Sequence, residues 1–531
     1  MKTLLRICLL LLTQQLLAQP YGNDWIDYNQ SYYKFPISQN GIYRIDYQTL
    51  INSGIPISSI NPRNLQLFAR GKEVPIYIEG ENDGVFHPTD FIEFYAEAND
   101  GWLDSVFYKG RNNQPNPYYS LINDSIHYFL TWHGGSQNSK RYGLENSTDF
   151  GNYFPAAYIW KEELVNFSQI YYDGEILTSQ ATDPEYVPSE GYMSGVLNLG
   201  NSRNYTFSTP NRYVSGPFAE FEMKLSGQSN WAGQNNGDHH LEIQIGSKIV
   251  SHIFEGYELV DVNFTFSPSE IIGGNNALQI RSIDDRNSGV DRTAFPYFKV
   301  TYPHTMSLRN QAYYEFLVDD HSSQSKQYLE LLFFRGGSNP VLLDLDNKKR
   351  IQVIQGLDDY KVLVPNGGGR KRLVIAAESE VKPINQLTAV GNAAKFVDYT
   401  AQVVDTSFVI ITSQKLFVEA TRYAAYKRSK GLASVVVSVE DLYDQYGYGI
   451  EKNPLAIRSF MEFAADQWPF PPSHLFLIGK SVAEVQAIDW YQNWNQANLM
   501  FISDFNGNGT LELNEFFMAG KAVVLATPEV A

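Results

Sequence analysis

The periodicity of the apolar residues changes near residue 405, and this change constrains the fold more than any other feature. From residue 25 to about 405, β-branched and aromatic residues alternate with polar ones between turns rich in Asn, Gly and Asp. A period of two predicts half-buried strands. After residue 405, continuous apolar runs alternate with stretches of helical period. The chain is therefore predicted to be multidomain, with a β-rich amino-terminal region followed by an α/β domain with a parallel sheet.

The domain boundaries are predicted from the length and from where the strand pattern is clearest. At roughly 150 residues per domain, three or four domains are expected. Residues 215–303 alternate with the spacing of a β-sandwich of about 90 residues. We predict a β-rich domain at 19–210, a β-sandwich domain at 211–305, a further β-rich domain at 306–405, and an α/β domain at 406–531.

Three apolar runs, at 408–412, 433–439 and 474–479, are the predicted strands of the α/β domain. A helix is expected after the first run, with Gly431 at its end, and another is expected to begin at Asn453-Pro454. Strands that alternate with helices form parallel sheets with right-handed crossovers.

Two polar motifs of the β-rich region are interpreted as structural. Residues 365–371 (PNGGGRK) join two predicted strands, so a hairpin turn is favoured over an anion-binding loop. Asp238, His239 and His240 are residue types that bind metals. Adjacent strand residues point to opposite faces, however, so only one of the two histidines is expected to join a given site.

Composition excludes several classes of protein. Aromatic residues make up 14% of the chain and charged residues only 19%, which excludes global disorder. Lys and Arg number 41 against 58 Asp and Glu, a net charge of −17 that repels polyphosphate. Nucleic acid is therefore not an expected partner.

The first residues have the order of a secretory signal peptide, which we place at 1–18. Basic Lys2 and Arg6 and an apolar stretch precede the small Ala18. The only cysteine, Cys8, lies inside this segment, so the mature part of this sequence is expected to lack disulfides and a thiol nucleophile. No later apolar run is long enough for a membrane anchor. We expect export across the inner membrane to the periplasm, the outer-membrane surface or the extracellular space.

Residues 504–515 have the ligand spacing of a calcium-binding loop. Oxygen-bearing side chains stand at loop positions one, three, five, nine and twelve, Gly509 stands at six, and position seven offers its carbonyl. The candidate ligands are Asp504, Asn506, Asn508, Thr510, Glu512 and Glu515. The alternative is a polar hairpin turn, because residues 499–503 are not clearly helical. Calcium is the one cofactor that the sequence suggests.

Four segments after residue 406 resemble the opening of a gingipain-type cysteine peptidase domain. They are residues 423–431 (YAAYKRSKG), 439–449 (VEDLYDQYGYG), 454–460 (PLAIRSF) and 474–479 (HLFLIG). Residues 83–95 (DGVFHPTDFIEFY) resemble the long amino-terminal region of PorU-like proteins. Those proteins are the gingipain relatives that act as sortases of the type IX secretion system in Bacteroidetes.

The resemblance implies a caspase-like sheet in which a His and a Cys, on later strands, attack a peptide carbonyl. It also implies a sortase that cleaves C-terminal signals of cargo proteins and transfers the cargo to a surface glycolipid, with protein substrates and type IX secretion components as partners. The family's His and Cys lie beyond the equivalent of residues 527–529, so no catalytic residue can be assigned.

The chain as given is therefore expected to hold an incomplete peptidase domain and to be inactive alone. The alternative is a non-catalytic secreted β-rich binding or scaffold protein, built on a degenerate or truncated peptidase platform.

Overall fold

The computed structural model of the protein describes residues 21–135, 139–178, 181–182, 186–231, 237–402 and 408–479. The predicted signal peptide at 1–18 lies outside these residues. Strands predominate up to residue 389, and most of the described α-helices follow residue 399.

Residues 21–135 form two sheets that face each other. The elements are β1 (Tyr33–Ile37), β2 (Gly41–Asp46), α1 (Tyr47–Asn52), β3 (Leu65–Ala69), β4 (Lys72–Val74), β5 (Tyr77–Ile78), β6 (Phe91–Ala96) and β7 (Ile126–Trp132). One sheet contains β1, β7, β3 and β4, and the other contains β2, β6 and β5. Phe35, Leu67 and Leu130 of the first sheet pack with Ile45 and Phe94 of the second, as the alternation of apolar residues predicts.

Residues 143–304 contain a second sandwich. The strands are β8 (Gly143–Glu145), β9 (Ile159–Asn166), β10 (Ile170–Asp173), β11 (Ile176–Thr178), β12 (Ala181–Thr182), β13 (Glu190–Met193), β14 (Leu197–Asn198), β15 (Ser202–Ser208), β16 (Ala219–Gly227), β17 (His239–Ile245), β18 (Lys248–Phe254), β19 (Leu259–Phe266), β20 (Asn275–Ser282), β21 (Arg292–Ala294) and β22 (Tyr297–His304). A sheet in the order β15-β20-β17-β18 packs over β16, β19 and β22. Leu241 and Ile280 from one side meet Phe221 and Phe298 from the other.

Residues 307–389 continue the same architecture. The strands are β23 (Ser307–Gln311), β24 (Tyr313–Val318), β25 (Lys326–Phe334), β26 (Val341–Asp344), β27 (Lys349–Ile351), β28 (Ile354–Gln355), β29 (Asp359–Pro365), β30 (Lys371–Ala376), β31 (Lys382–Pro383) and β32 (Thr388–Ala389). A sheet in the order β23-β25-β29-β28 packs over β24, β26 and β30. The last two strands return to the first part, where β31 pairs with β2 and β32 pairs with β1.

One long sheet links the middle and later parts of the β-rich region. Within the described residues its order is β14-β21-β16-β22-β9-β24-β30-β26-β27-β8, with β19 also paired to β16. Hydrogen-bonded pairs cross position 210, where β15 pairs with β20, and position 305, where β24 pairs with β9. The domain boundaries given above stay predictions.

The glycine-rich segment at 365–371 does not form the predicted hairpin, so this prediction is wrong. The strand before it, β29, pairs with β25, whereas the strand after it, β30, pairs with β24 and β26 of the opposite sheet. The segment therefore crosses from one sheet of the sandwich to the other. The N–H groups of Gly367, Gly368 and Gly369 donate to Oδ2 of Asp320 at 3.2, 2.7 and 3.0 Å. The anion that this loop binds is a side chain of the protein itself.

Residues 399–479 form the predicted α/β unit. Its elements are α2 (Tyr399–Gln402), β33 (Phe408–Thr412), α3 (Phe417–Ser429), β34 (Ser434–Ser438), α4 (Val439–Gln445), α5 (Leu455–Gln467) and β35 (His474–Ile478). The sheet order is β34-β33-β35, and both pairings are parallel. Gly431 follows α3 with a φ of +85°, the left-handed conformation that favours glycine. The predicted fold class, a β-rich region followed by an α/β unit with a parallel sheet, is confirmed.

Candidate functional site

The carboxyl edge of the parallel sheet is the candidate site of the α/β unit. The last residues of the three strands, Thr412, Ser438 and Ile478, lie side by side in register. Thr412 Oγ1 donates to the carbonyl of Ile478 at 3.0 Å, and Ser438 Oγ donates to Glu440 Oε2 at 2.9 Å. The Glu440 carboxylate also accepts the backbone N–H of Gln414 at 3.1 Å. These bonds link the ends of β33 and β35 to each other and the residues after β33 to α4. Ligands of open α/β sheets bind beyond this edge.

The groups described at this edge do not form a nucleophile–base pair. Thr412 and Ser438 are both buried, and each hydroxyl donates to a carbonyl or carboxylate rather than to an imidazole. The chain has nine histidines, all within the described ranges, and eight of them lie in the β-rich region. The ninth, His474, begins β35 at the opposite edge of the sheet, where its ring stacks on Phe408 at 5.7 Å. We call the three aligned strand ends, Thr412, Ser438 and Ile478, the platform of the α/β unit.

Helix α4 joins this platform to the first sheet of the β-rich region. Asp444 is buried and accepts from Lys34 Nζ at 2.6 Å through Oδ2. Its Oδ1 lies 3.1 Å from His127 Nδ1. The backbone N–H of His127 donates to the carbonyl of Gly449 at 3.0 Å. Burial and the neighbouring carboxylates of Asp444 and Glu440 raise the pKa of Asp441, on the same helix, to about 6.

Sequence reasoning did not find this contact between the two parts of the chain. Lys34 and Asp444 are separated by 410 positions. Nothing near either residue in the sequence marks it as a partner of the other.

The predicted behaviour of the two adjacent histidines is confirmed. His239 points into the core, where Nδ1 lies 2.6 Å from Asp291 Oδ1 and Nε2 lies 2.9 Å from the carbonyl of Gly256. His240 points to the other face and contacts Asp285 at 2.8 Å. Burial lowers the pKa of His239, but the hydrogen bond and charge of Asp291 outweigh it, so that the pKa is raised. The contacts of the two ring nitrogens tie β17 to the segments that contain Asp291 and Gly256.

The described residues hold no group of three or more His, Cys, Asp or Glu side chains arranged to bind a metal ion. The predicted calcium ligands, Asp504, Asn506, Asn508, Thr510, Glu512 and Glu515, lie outside the described residues. Calcium binding therefore stays a prediction. Among the helices of the described ranges, none is long and apolar enough to cross a membrane.

Comparison with known proteins defines the class to which the α/β unit is similar. Residues 402–510 match the family model of Peptidase family C25, the gingipain family of cysteine peptidases. The matched segment contains the whole parallel sheet described above. The resemblance inferred from the sequence is thus confirmed for this part of the chain. No curated protein matches the sequence.

The fold of the chain is similar to that of PorU. The crystal structure of dimeric latent PorU from Porphyromonas gingivalis aligns with 85% of this chain at 13% identity and a TM-score of 0.52. The alignment covers 42% of that PorU chain, so this sequence spans less than half of its length. The CBM36-1 domain of a xylanase from the hindgut metagenome of Trinervitermes trinervoides aligns with 26% of this chain and 96% of its own, at 13% identity and a TM-score of 0.16.

Proposed function

We propose that this chain is the amino-terminal part of a secreted gingipain-like cysteine peptidase that acts as a type IX secretion sortase. Such an enzyme cleaves the C-terminal signals of cargo proteins and transfers the cargo to a surface glycolipid. The observation that carries the proposal is the parallel sheet of β34, β33 and β35, which lies within the segment that matches Peptidase family C25. The likeness in fold to PorU over 85% of the chain supports it.

The chemistry divides into two acyl transfers. A cysteine thiolate attacks the carbonyl before the signal and forms a thioester, while the C–N bond breaks and the departing nitrogen takes one proton from the histidine paired with the cysteine. An amine of the glycolipid then attacks the thioester, which forms an amide and releases the thiol. In open α/β sheets such a site lies beyond the carboxyl ends of the strands, and the alignment of those ends at Thr412, Ser438 and Ile478 supports the proposal.

Deletion of the gene in the bacterium that encodes the chain tests the proposal. We expect secreted cargo proteins to keep their C-terminal signals and to lack the glycolipid, as measured by mass spectrometry of their C-termini. Re-expression of the wild-type gene restores processing, whereas Ile410→Asp, which places a charge in the fully buried β33, does not. Normal cargo processing in the deletion strain contradicts the proposal.

Two measurements on the protein itself accompany that test. Amino-terminal sequencing of the exported protein is expected to begin near Gln19, and a protein that keeps Met1 contradicts export by a cleaved signal peptide.

Purified residues 19–531 are expected not to cleave peptides and not to react with thiol-directed peptidase probes. Peptidases of this class need a thiolate, and residues 19–531 contain no cysteine. Turnover that survives removal of contaminating proteases overturns the prediction of inactivity.

A further inference from the structure

A groove crosses the outer face of the long sheet of the β-rich region. It has a volume of about 450 Å³, within the range of small-molecule sites. Its floor is formed by two rows of side chains that run across the strands. Thr265, Glu220, Thr301 and Glu162 form one row, and Asn263, Glu222 and Lys299 form the other. Leu317 adds apolar surface.

The charged groups of the groove are held in place by each other. Arg370 Nη1 donates to both oxygens of Glu220, at 3.1 and 3.0 Å, and its guanidinium lies over the ring of Trp160 at 4.0 Å. Lys299 Nζ lies 2.8 Å from Glu222 Oε2. Burial opposes ionisation of Glu222, but the hydrogen bond and charge of Lys299 outweigh it and keep its pKa below the ordinary value.

These pairs leave hydrogen-bonding capacity toward the solvent. The side chains of Glu220 and Glu222 remain 47% and 35% exposed, and Arg370 and Lys299 remain 28% and 20% exposed. Each carboxylate has four acceptor positions. The hydroxyls of Tyr118 and Tyr297 already donate to Glu222, and Lys299 Nζ also donates to the hydroxyl of Tyr118 at 3.0 Å. The groove therefore presents fixed acceptors and fixed donors side by side, with three carboxylates against two cations.

This chemistry disfavours the other common occupants of such a groove. An extended peptide binds a sheet by pairing with an open strand edge, whereas β16 and β22, which carry Glu220, Glu222 and Lys299, are each paired on both sides. Nucleic acid is repelled by Glu162, Glu220 and Glu222. A metal ion would have to displace Lys299 or Arg370 from the carboxylates that they already neutralise.

We propose that this groove binds a neutral glycan chain. Sugar hydroxyls both donate and accept hydrogen bonds, so vicinal hydroxyls can bridge Glu220 to Arg370, and a further hydroxyl can donate to Glu222. Charge-assisted hydrogen bonds of this kind are the strong ones. Neighbouring strands lie about 4.8 Å apart, close to the length of one pyranose ring. Successive sugars that lie across the strands thus meet a new strand at each step, with a C–H face on Leu317.

The test is isothermal titration of the full exported chain with maltohexaose, cellohexaose, mannohexaose and the lipopolysaccharide of the encoding bacterium. At least one of these is expected to bind. Glu220→Gln and Glu222→Gln are each expected to weaken that binding by about tenfold or more. Glu242→Gln is the matched control, because Glu242 pairs with Arg281 at 2.6 Å on the outer face of the other sheet. The control is expected to bind as the wild type does, and all three variants are expected to keep the wild-type melting temperature within a few degrees.

The polysaccharide freed from its lipid distinguishes a glycan from a glycolipid. Equal binding of the delipidated polysaccharide supports the proposal, and binding that needs the lipid overturns it. Absence of binding to every probe at millimolar concentration also overturns it, as does wild-type affinity in both groove variants. The inference does not rest on the proposed sortase function, since cargo processing and glycan binding are measured separately.

Discussion

Lys34 and Asp444 lie 410 positions apart in the sequence, yet Nζ of the lysine is 2.6 Å from Oδ2 of the aspartate. The pair joins the first strand of the β-rich region to helix α4 of the α/β unit. His127 completes the contact from β7, the neighbour of β1. The α/β unit therefore contacts the first sheet through the buried carboxylate of Asp444, whose two partners both lie in that sheet.

Asp444→Ala is expected to loosen α4 and the residues that follow it. The substitution leaves Lys34 and His127 partly buried without their shared acceptor. Loss of one partner of a buried pair lowers the free energy of unfolding by about 3 kcal/mol. Hydrogen–deuterium exchange of peptides from residues 439–467 is expected to quicken by roughly 100-fold. Glu419→Gln is the control, because Glu419 and Arg422 form an exposed pair, and removal of an exposed pair costs under about 1 kcal/mol. Unchanged protection in Asp444→Ala contradicts the prediction.

Ionisation of Asp104 is expected to lower the stability of the protein as the pH rises. This side chain is fully buried, and burial raises its pKa to about 7. The unfolded chain releases this proton near pH 3.9, so between these values the folded state holds more protons and is stabilised by acid. The contribution is fully present below about pH 4 and is lost as the pH rises through 7, a change of roughly 4 kcal/mol.

Asp104→Asn removes that titration. Asn keeps an acceptor for the backbone N–H of Leu121, which Asp104 Oδ2 binds at 2.7 Å. The melting temperatures of the variant and the wild type are measured from pH 5 to 8.5. The melting temperature of the variant, relative to that of the wild type, is expected to increase as the pH rises. A difference in melting temperature that does not change with pH contradicts the prediction.

Asp320→Ala is expected to destabilise the sandwich that contains the glycine-rich loop. The carboxylate accepts from Gly367, Gly368 and Gly369 and from the buried Nζ of Lys371. Burial opposes ionisation of Asp320, but Lys371 and the glycine N–H groups outweigh it and lower its pKa to about 2. Removal of the carboxylate leaves Lys371 unpaired and costs about 3 kcal/mol in urea unfolding at neutral pH.

The sign of the pH dependence gives a second check on Asp320. A lowered pKa means that the contribution is present above about pH 3.9 and is lost as the pH falls toward 2. The difference in the free energy of unfolding between the wild type and Asp320→Ala is therefore expected to become smaller at acid pH. Asp358→Ala, at an exposed position just before the opposite end of β29, is expected to change stability by less than about 0.5 kcal/mol. An equal loss in both variants would show that the loop contact does not matter.

Calcium is expected to raise the melting temperature through the motif at 504–515. Binding to the folded state alone stabilises it by about 2.7 kcal/mol when calcium is at 100 times Kd. Asp504→Ala removes the first ligand of the motif and is expected to abolish the increase, whereas magnesium at the same concentration is expected to have little effect. An equal increase in Asp504→Ala, or none in the wild type at millimolar calcium, would leave the polar hairpin turn as the interpretation.

The parallel sheet could be predicted from the sequence because its signal is local. A strand buried on both faces needs a continuous apolar run, and Val409, Ile410 and Ile411 supply it. Gly431 likewise marks the end of its helix, since a left-handed residue is needed there. The opposite orientations of His239 and His240 follow from the period of the strand alone.

The charged residues of the groove were visible in the sequence only as an alternating strand. The pattern of Glu220, Glu222 and Lys224 predicts a solvent-facing side of β16 and nothing more. That Glu220 meets Arg370 depends on the loop after β29, which lies 150 positions away. Their contact therefore depends on which strands are neighbours in the sheet, and this order is not visible in the sequence around either residue.

By itself, the sequence determined the local structure: where strands alternate, where the period changes near residue 405, where the helix after β33 ends, and which family the segments after 406 resemble. The tertiary structure decided what the polar residues do. The glycine-rich loop has the turn chemistry of a hairpin, but the pairing of β29 and β30 in opposite sheets turns it into a cradle for Asp320. Local periodicity arises from which face of an element is buried, whereas the partner of a buried charge depends on chain segments that only the completed fold brings together.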